Sequence, residues 1–311
     1  MTPVRVRCFP GNIEMLMQQL LNGLVSGSIY ALFALGFNLV FGTMNIMNLA
    51  HGAVFMTGAF VGVLTVNLGG PFPLALLAAM LAGGVLSVAI DFVAFRPLRR
   101  RHAGEFAALV ASIGVNLALL NIMQALSKTQ FYRFPPKTFP SGIVHFLGFR
   151  ITWLQMTIVA LMIVLVVLLI AYLYYTSVGR QIRAVAYSER TAMLLGVDPG
   201  KAYFQTFFLS GVLAGAAGVL IGLVFNSVHF MMGEPQMLKA FVVLVLGGLG
   251  SLPGAVVAGL ILGVLQTLTA VYLPVGLGDI VVYSLLFAVL LIYPNGIFGS
   301  KVRTHARVGR V

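Results

Sequence analysis

In the stretch MNIMNLAHGAVF, residues 44–55, the polar residues Asn45, Asn48 and His51 recur at every third position between two strongly apolar runs. Amide and imidazole groups both donate and accept hydrogen bonds, so in apolar surroundings they serve a passing polar solute or backbone groups that nothing else reaches. A helical backbone would gather the three along one side. Two roles stay open on this pattern: lining a substrate path, or holding two broken helix ends together. Asn38, Asn116 and Asn121 are secondary candidates for the same work, and Asp91, just before Arg96, reads as an interfacial residue rather than a proton carrier.

Other chemistries are poorly supplied. Ser26 and His51 suggest a hydrolase pair, but the serine lies in VSGSIY without a G-x-S-x-G elbow and no carboxylate is placed to orient the histidine. GGLGSLPG lacks the lysine of a phosphate-binding loop, and no G-x-x-x-x-G-K-[ST] occurs, so the chain carries no ATPase motif. Cys8 is the single cysteine, which rules out an internal disulfide and the usual cysteine spacings of zinc or haem sites, so no metal or cofactor is expected. Proton coupling would need carboxylates near mid-membrane, yet of seven acidic residues only Asp91 and Asp279 lie close to spans, both near span ends.

The solvent that positions these groups is lipid. The 311 residues are 60% hydrophobic and 8% charged with a mean hydropathy of +1.03, against about 25% charged in soluble domains. Runs at 17–41, 72–94, 106–126, 153–176, 204–226 and 280–298 are long enough to cross a bilayer, and those at 52–68 and 237–273 are interrupted. The expectation is an all-α polytopic membrane protein of about eight transmembrane helices, some broken or re-entrant. The first run is too long for a cleaved signal and should stay as a span. Breaks are expected at Gly52 and at Gly247, Gly248, Gly250, Pro253 and Gly254. The segments from Gly52 and Gly254 align with one gap, as an internal repeat or as chance similarity between two Gly/Ala/Val/Leu stretches. Gly211 with Gly215, Gly218 with Gly222 and Gly259 with Gly263 are small-xxx-small steps that let helices approach closely.

Basic residues orient the chain. RPLRRRH, the loop from 177 to 203 and the tail KVRTHARVGR each carry four basic residues and should be cytoplasmic. The loop 127–152 also carries four, but one span separates it from the arginine cluster, so it should be external. The net charge of +12 is thus a matter of membrane topology and not of nucleic-acid binding. In the 177–203 loop, Arg180, Arg183 and Tyr187 share a polar helical side opposite Ile182, Val185 and Ala186. Ser188 can cap a second short helix with Glu189 at its positive end, Ala192 and Leu195 offer an apolar contact, and Gly196 can end it. Such a surface helix invites a partner.

NLAHGA, FRPLR, GRQIRAVAYSERTAMLLGVD and KAFVVLVLGGLGSLPGAVVAGLILG stand in an order that resembles the permease subunit of the branched-chain amino acid ABC importers, over roughly residues 15–299. The resemblance implies a bacterial cytoplasmic (inner) membrane location, a second related permease subunit, two cytoplasmic ATPase subunits and an external substrate-binding protein. It implies a permease domain at 15–299 between an N-terminal extension, 1–14, and a basic cytoplasmic tail, 300–311, with Met1 and Met15 as alternative starts. It makes 177–203 the loop that receives ATPase movement, through Arg180, Arg183, Glu189, Arg190, Ala192, Leu195 and Gly196. The general importer pattern there is Glu-Ala-Ala, three residues, then Gly; this chain keeps Ala192 and Gly196 but has Arg190 and Thr191 in the first two places. Substrates open under the resemblance are branched-chain or other hydrophobic amino acids, urea, short amides and aromatic acids. An ion-coupled secondary transporter is the alternative outside the family.

Overall fold

Long apolar stretches fix the helices, and small residues decide how close they come. The computed structural model describes residues 11–297 apart from 102, 137, 141, 147–148, 275–276 and 293–295, so most of the N-terminal extension, with Cys8, and the basic tail lie outside the described residues. Helix α1 (Gly11–Met44) is followed by an irregular stretch, α2 (His51–Asn67) and α3 (Phe72–Ile90). A π-helical turn (Asp91–Phe95) joins α3 to α4 (Arg96–Arg100). Then come α5 (Glu105–Ser127), an antiparallel hairpin of β1 (Ile143–Phe146) and β2 (Phe149–Thr152), and α6 (Trp153–Tyr175). The short helices α7 (Ser177–Tyr187) and α8 (Glu189–Leu194) precede α9 (Pro199–Phe225), α10 (Gly233–Gly247), α11 (Leu252–Tyr272) and α12 (Leu277–Ile292).

Six of these helices are long and apolar enough to cross a membrane, and α2 and α12 are shorter apolar helices, which agrees with the expected eight. The chain is an all-α, multi-pass membrane protein whose only described strands are the short hairpin. One end of the bundle gathers the arginines: Asn45, just past α1, bonds to Glu105 at the start of α5, and Arg99 of α4 reaches Met44. The other end carries the hairpin, where Gln18 of α1 donates to the Arg150 carbonyl and Tyr132 pairs with Val228. Thr152 and Gln155 form a capping box that starts α6 at the hairpin end.

Helices α1 and α9 form the interior, with 89% and 78% of their most apolar windows buried, whereas those of α5 and α6 are 11% and 22% buried and present Ile122, Ile163, Val167 and Leu168 outward. The glycine steps explain the packing. Gly23 and Gly27 of α1 lie against Val264 and Leu260 of α11, and Gly211 and Gly215 of α9 against Gly83 and Ala79 of α3, so close that a Cβ on any of these glycines would meet backbone. On another side of α9, Gly218 lies against Phe55 and Gly58 of α2 meets Gly215.

Candidate functional site

The first break is not helical, which corrects the expectation that Asn45, Asn48 and His51 share one helical side. Asn45 takes φ 56°, the left-handed conformation that asparagine tolerates at a helix end, and so closes α1; its amide donates to Glu105 over 2.9 Å. Residues 46–50 run irregularly, with the Leu49 N–H donating to Ser112 Oγ over 3.2 Å, and α2 begins at His51.

His51 has no exposed surface. Its Nε2 lies 3.2 Å from the Phe33 carbonyl oxygen and its Nδ1 3.3 Å from Ser210 Oγ, and its ring stacks on Phe33 at 4.7 Å. A carbonyl only accepts, so Nε2 carries the proton and Nδ1 accepts from the Ser210 hydroxyl. The histidine therefore ties α1, the start of α2 and α9 together. Its serine is Ser210, not Ser26, and a backbone carbonyl stands where a hydrolase would place a carboxylate. Asn48 differs from both neighbours: it too has no exposed surface, but neither its side-chain nitrogen nor its oxygen has a partner among the described residues.

The second break falls where the glycines and proline place it. Helix α10 ends at Gly247, Gly248 and Gly250 take φ 91° and 81°, and Ser251 accepts from the Gly254 N–H with Pro253 in the first turn of α11. Its free backbone groups are met from α1. Asn38 donates to the Ser251 carbonyl and accepts from the Gly250 N–H, each over 2.8 Å, and is 1% exposed. Gly52 and Gly254 each open a helix after a break, and each packs on α10, Gly52 at Gly233 and Gly254 at Gly247. Asn116 and Asn121 have no comparable place; both lie on α5, and Asn121 is exposed and bonds only within its own helix, to the Leu117 carbonyl. An apolar pocket of about 260 Å³ between α2 and α5, lined by Thr57, Phe60, Leu64, Met123, Leu126 and Tyr132, includes none of the candidate residues.

At the arginine end, α7 buries Ile182 and Val185 and exposes Arg180, Arg183 and Tyr187. Ser188 caps α8 through the Thr191 N–H at 3.2 Å, and Gly196 takes φ 80° just beyond it. Glu189 and Arg190 are exposed. Of the two apolar residues expected to offer a contact, Ala192 is buried, and Leu195 is 77% exposed and joins Leu194, at 83%, in an apolar surface. Asp91, at the arginine end, is 6% exposed and paired at both oxygens with Arg99, at 2.6 and 3.2 Å, so it is held as an ion-pair partner. Arg99 also covers the Tyr203 ring at 4.6 Å, and Tyr203 lies within electrostatic reach of Glu189, so the pair adjoins the start of α8. Ser112, Ser210 and Tyr203 escaped the sequence reading, although a serine inside an apolar helix was a visible signal.

Interrupted helices inside a closely packed membrane bundle, polar groups spent on the interruptions, and a capped surface helix that leaves Leu194 and Leu195 exposed are the features of a transport permease. The chain matches the family described as branched-chain amino acid transport system / permease component over residues 19–290. It belongs to that family. It is 33% identical to the high-affinity branched-chain amino acid transport system permease protein LivH of Escherichia coli, over 91% of this chain and 95% of that one. BraD of Pseudomonas aeruginosa, named as the same kind of permease, gives the same identity and coverage. LivM of Salmonella typhimurium is 27% identical over 77% of this chain and 61% of its own length.

Proposed function

We propose that this chain is one of two permease subunits in an ATP-driven importer of branched-chain amino acids in a bacterial inner membrane. The second permease is a LivM-like chain, two cytoplasmic ATPase subunits supply the energy, and an external binding protein delivers the substrate. The observation that carries this reading is the surface of α7 and α8, where Arg180, Arg183, Glu189 and Arg190 surround exposed Tyr187, Leu194 and Leu195. Exposed leucines among charges at the arginine end, the side that basic residues assign to the cytoplasm, suit a docking helix that a partner covers.

Nucleotide binding in the ATPases pulls on α8, and the pair shifts between outward-open and inward-open states because the ATPases bind the two states differently. Glu189, Tyr203, Arg99 and Asp91 carry that movement into α3 and α9. At the breaks we assign Asn38, Asn45 and His51 to holding helix ends in place; Asn48, with its amide unpaired, is the one left to the substrate path.

The test is reconstitution. The chain with its partner permease, ATPases and binding protein in liposomes takes up leucine only with ATP, and the chain alone takes up none. Uptake by the chain alone at the rate of the complex, or uptake driven by an ion gradient without ATP, refutes the reading. A cysteine at Thr191 or Met193 crosslinks to an ATPase subunit while one at Pro140, on the hairpin side, does not; equal crosslinking at both means the orientation is wrong.

A further inference from the structure

The arginines at the end of α3 and α4 divide into two sets. Arg99 is paired with Asp91 and laid over the Tyr203 ring. Arg96, Arg100 and Arg101 are exposed, and since the Arg99–Asp91 pair is the one ion pair among the described residues, none of these three meets a described carboxylate at salt-bridge distance. Together with Phe92 and Pro97 they line an open pocket of about 370 Å³. The Arg96 guanidinium lies over the Phe92 ring at 4.9 Å, which leaves its in-plane N–H donors free. The π-helical turn makes the division: it buries Asp91 and Phe95 and leaves Phe92 and Val93 61% and 74% exposed.

The depth of the pocket follows from helix rise. Helix α3 starts at Phe72, beside Phe139 of the 127–152 loop, and runs on through the π-helical turn and α4 as one apolar span, Phe72–Arg100. At about 1.5 Å per residue, Phe92 lies about 30 Å from Phe72, the thickness of the hydrocarbon core, and Arg96 lies about 36 Å away, in the headgroup layer. Phe92 and Val93 therefore offer apolar surface at the level of the acyl chains, and the three arginines stand at the level of the phosphates. A phospholipid is divided in the same way. A soluble anion would leave the apolar surface unused, and a charge that only sets topology needs neither a pocket nor an aromatic platform. Guanidinium groups bind phosphate oxygens through paired N–H donors, and basic residues at a membrane surface favour lipids with a net negative charge.

We propose that Phe92, Arg96, Arg100 and Arg101 form a binding site for an anionic phospholipid of the surrounding bilayer, the arginines holding the phosphate and Phe92 the upper part of the acyl chains. The site depends on the chain being a membrane protein and stands apart from what the chain transports.

The test is native mass spectrometry of the full chain in detergent, titrated with dioleoyl phosphatidylglycerol, with dioleoyl phosphatidylcholine or with inorganic phosphate. Phosphatidylglycerol binds at least about tenfold more tightly than phosphatidylcholine, which has the same chains and a phosphate but no net charge. The triple variant Arg96→Gln, Arg100→Gln, Arg101→Gln weakens phosphatidylglycerol binding at least about tenfold, whereas Lys128→Gln, Arg133→Gln, Arg150→Gln, which removes as many charges at the hairpin end, leaves it within about twofold. Equal affinity for the two lipids, or equal losses in the two triple variants, overturns the site, because net charge alone then accounts for binding. Inorganic phosphate that displaces phosphatidylglycerol at matched concentration overturns the lipid as ligand. Unchanged lipid binding in the arginine variant, with loss of a copurifying ATPase subunit, gives the cluster to a protein partner and overturns it as well. If the triple arginine variant yields no folded chain, Arg100→Gln and Arg101→Gln decide, since both side chains are exposed and neither lies on the Phe92 ring. A fall in phosphatidylglycerol affinity of at least about threefold in each supports the site, and a smaller fall overturns it.

Discussion

Asn38→Leu removes the tie that closes the second break while keeping the side chain's branching and heavy-atom count. Asn38 supplies the acceptor for the Gly250 N–H and a donor for the Ser251 carbonyl, both at 2.8 Å; the carbonyl also accepts from the Ala255 N–H of α11 at 3.1 Å, whereas Gly250, held with Gly248 in left-handed backbone, loses its partner. Gly250 is exposed and Ser251 half-buried, so the loss is that of two hydrogen bonds at about 0.5–1.5 kcal/mol each, and the variant loses about 1–3 kcal/mol. The control is Asn121→Leu on α5, whose amide bonds only within its own helix on an exposed face, and whose change stays within about 0.5 kcal/mol. Thermal unfolding of the two variants and wild type, purified in the same detergent, reads the difference. Asn38→Leu should unfold well below both others and give less folded chain on extraction. If it unfolds with the control, the break is held by something other than Asn38, and the assignment of these polar residues to helix ends fails with it.

Arg99→Leu strands the Asp91 carboxylate, 6% exposed, and should cost about 3–5 kcal/mol, with part of the loss recovered by adding Asp91→Asn; equal unfolding midpoints for the single and double variants would contradict this. Glu189→Gln should lower substrate-stimulated ATP hydrolysis more than it lowers complex yield, because Glu189 starts α8 and faces Tyr203; a proportional loss of both would make it merely structural. Burial holds His229, on the loop between α9 and α10 and beside Phe131, below the ordinary histidine range. The folded chain then resists a proton that the unfolded chain accepts, so stability falls as pH drops through about 6.5 and levels off once the folded imidazole also protonates. His229→Phe should flatten that pH dependence of the unfolding midpoint, and an unchanged slope would remove His229 from it.

Much of the fold follows from local chemistry that the sequence carries openly. Apolar run length sets the spans, small-xxx-small spacing brings α9 against α3 and α2, Ser188 and Gly196 bound α8, and the glycines with Pro253 set the second break, because each of these depends on neighbours within a few residues. Periodicity misled at Asn45, Asn48 and His51, since an every-third pattern means a shared face only where the backbone is helical, and α1 ends at Met44. What each polar side chain touches was decided by the tertiary structure alone. His51 finds Ser210 and Asn38 finds Gly250 across 159 and 212 residues of chain, and nothing local encodes those meetings. Asp91 meets Arg99 through a π-helical turn that shifts the phase of α4 against α3, which a regular helical projection does not contain. Lys239 reads as one more residue of a helix until α1 closes over it and sets its ammonium over the Tyr30 ring. Burial and partnership are properties of the packed bundle, and a charge acquires its meaning from them.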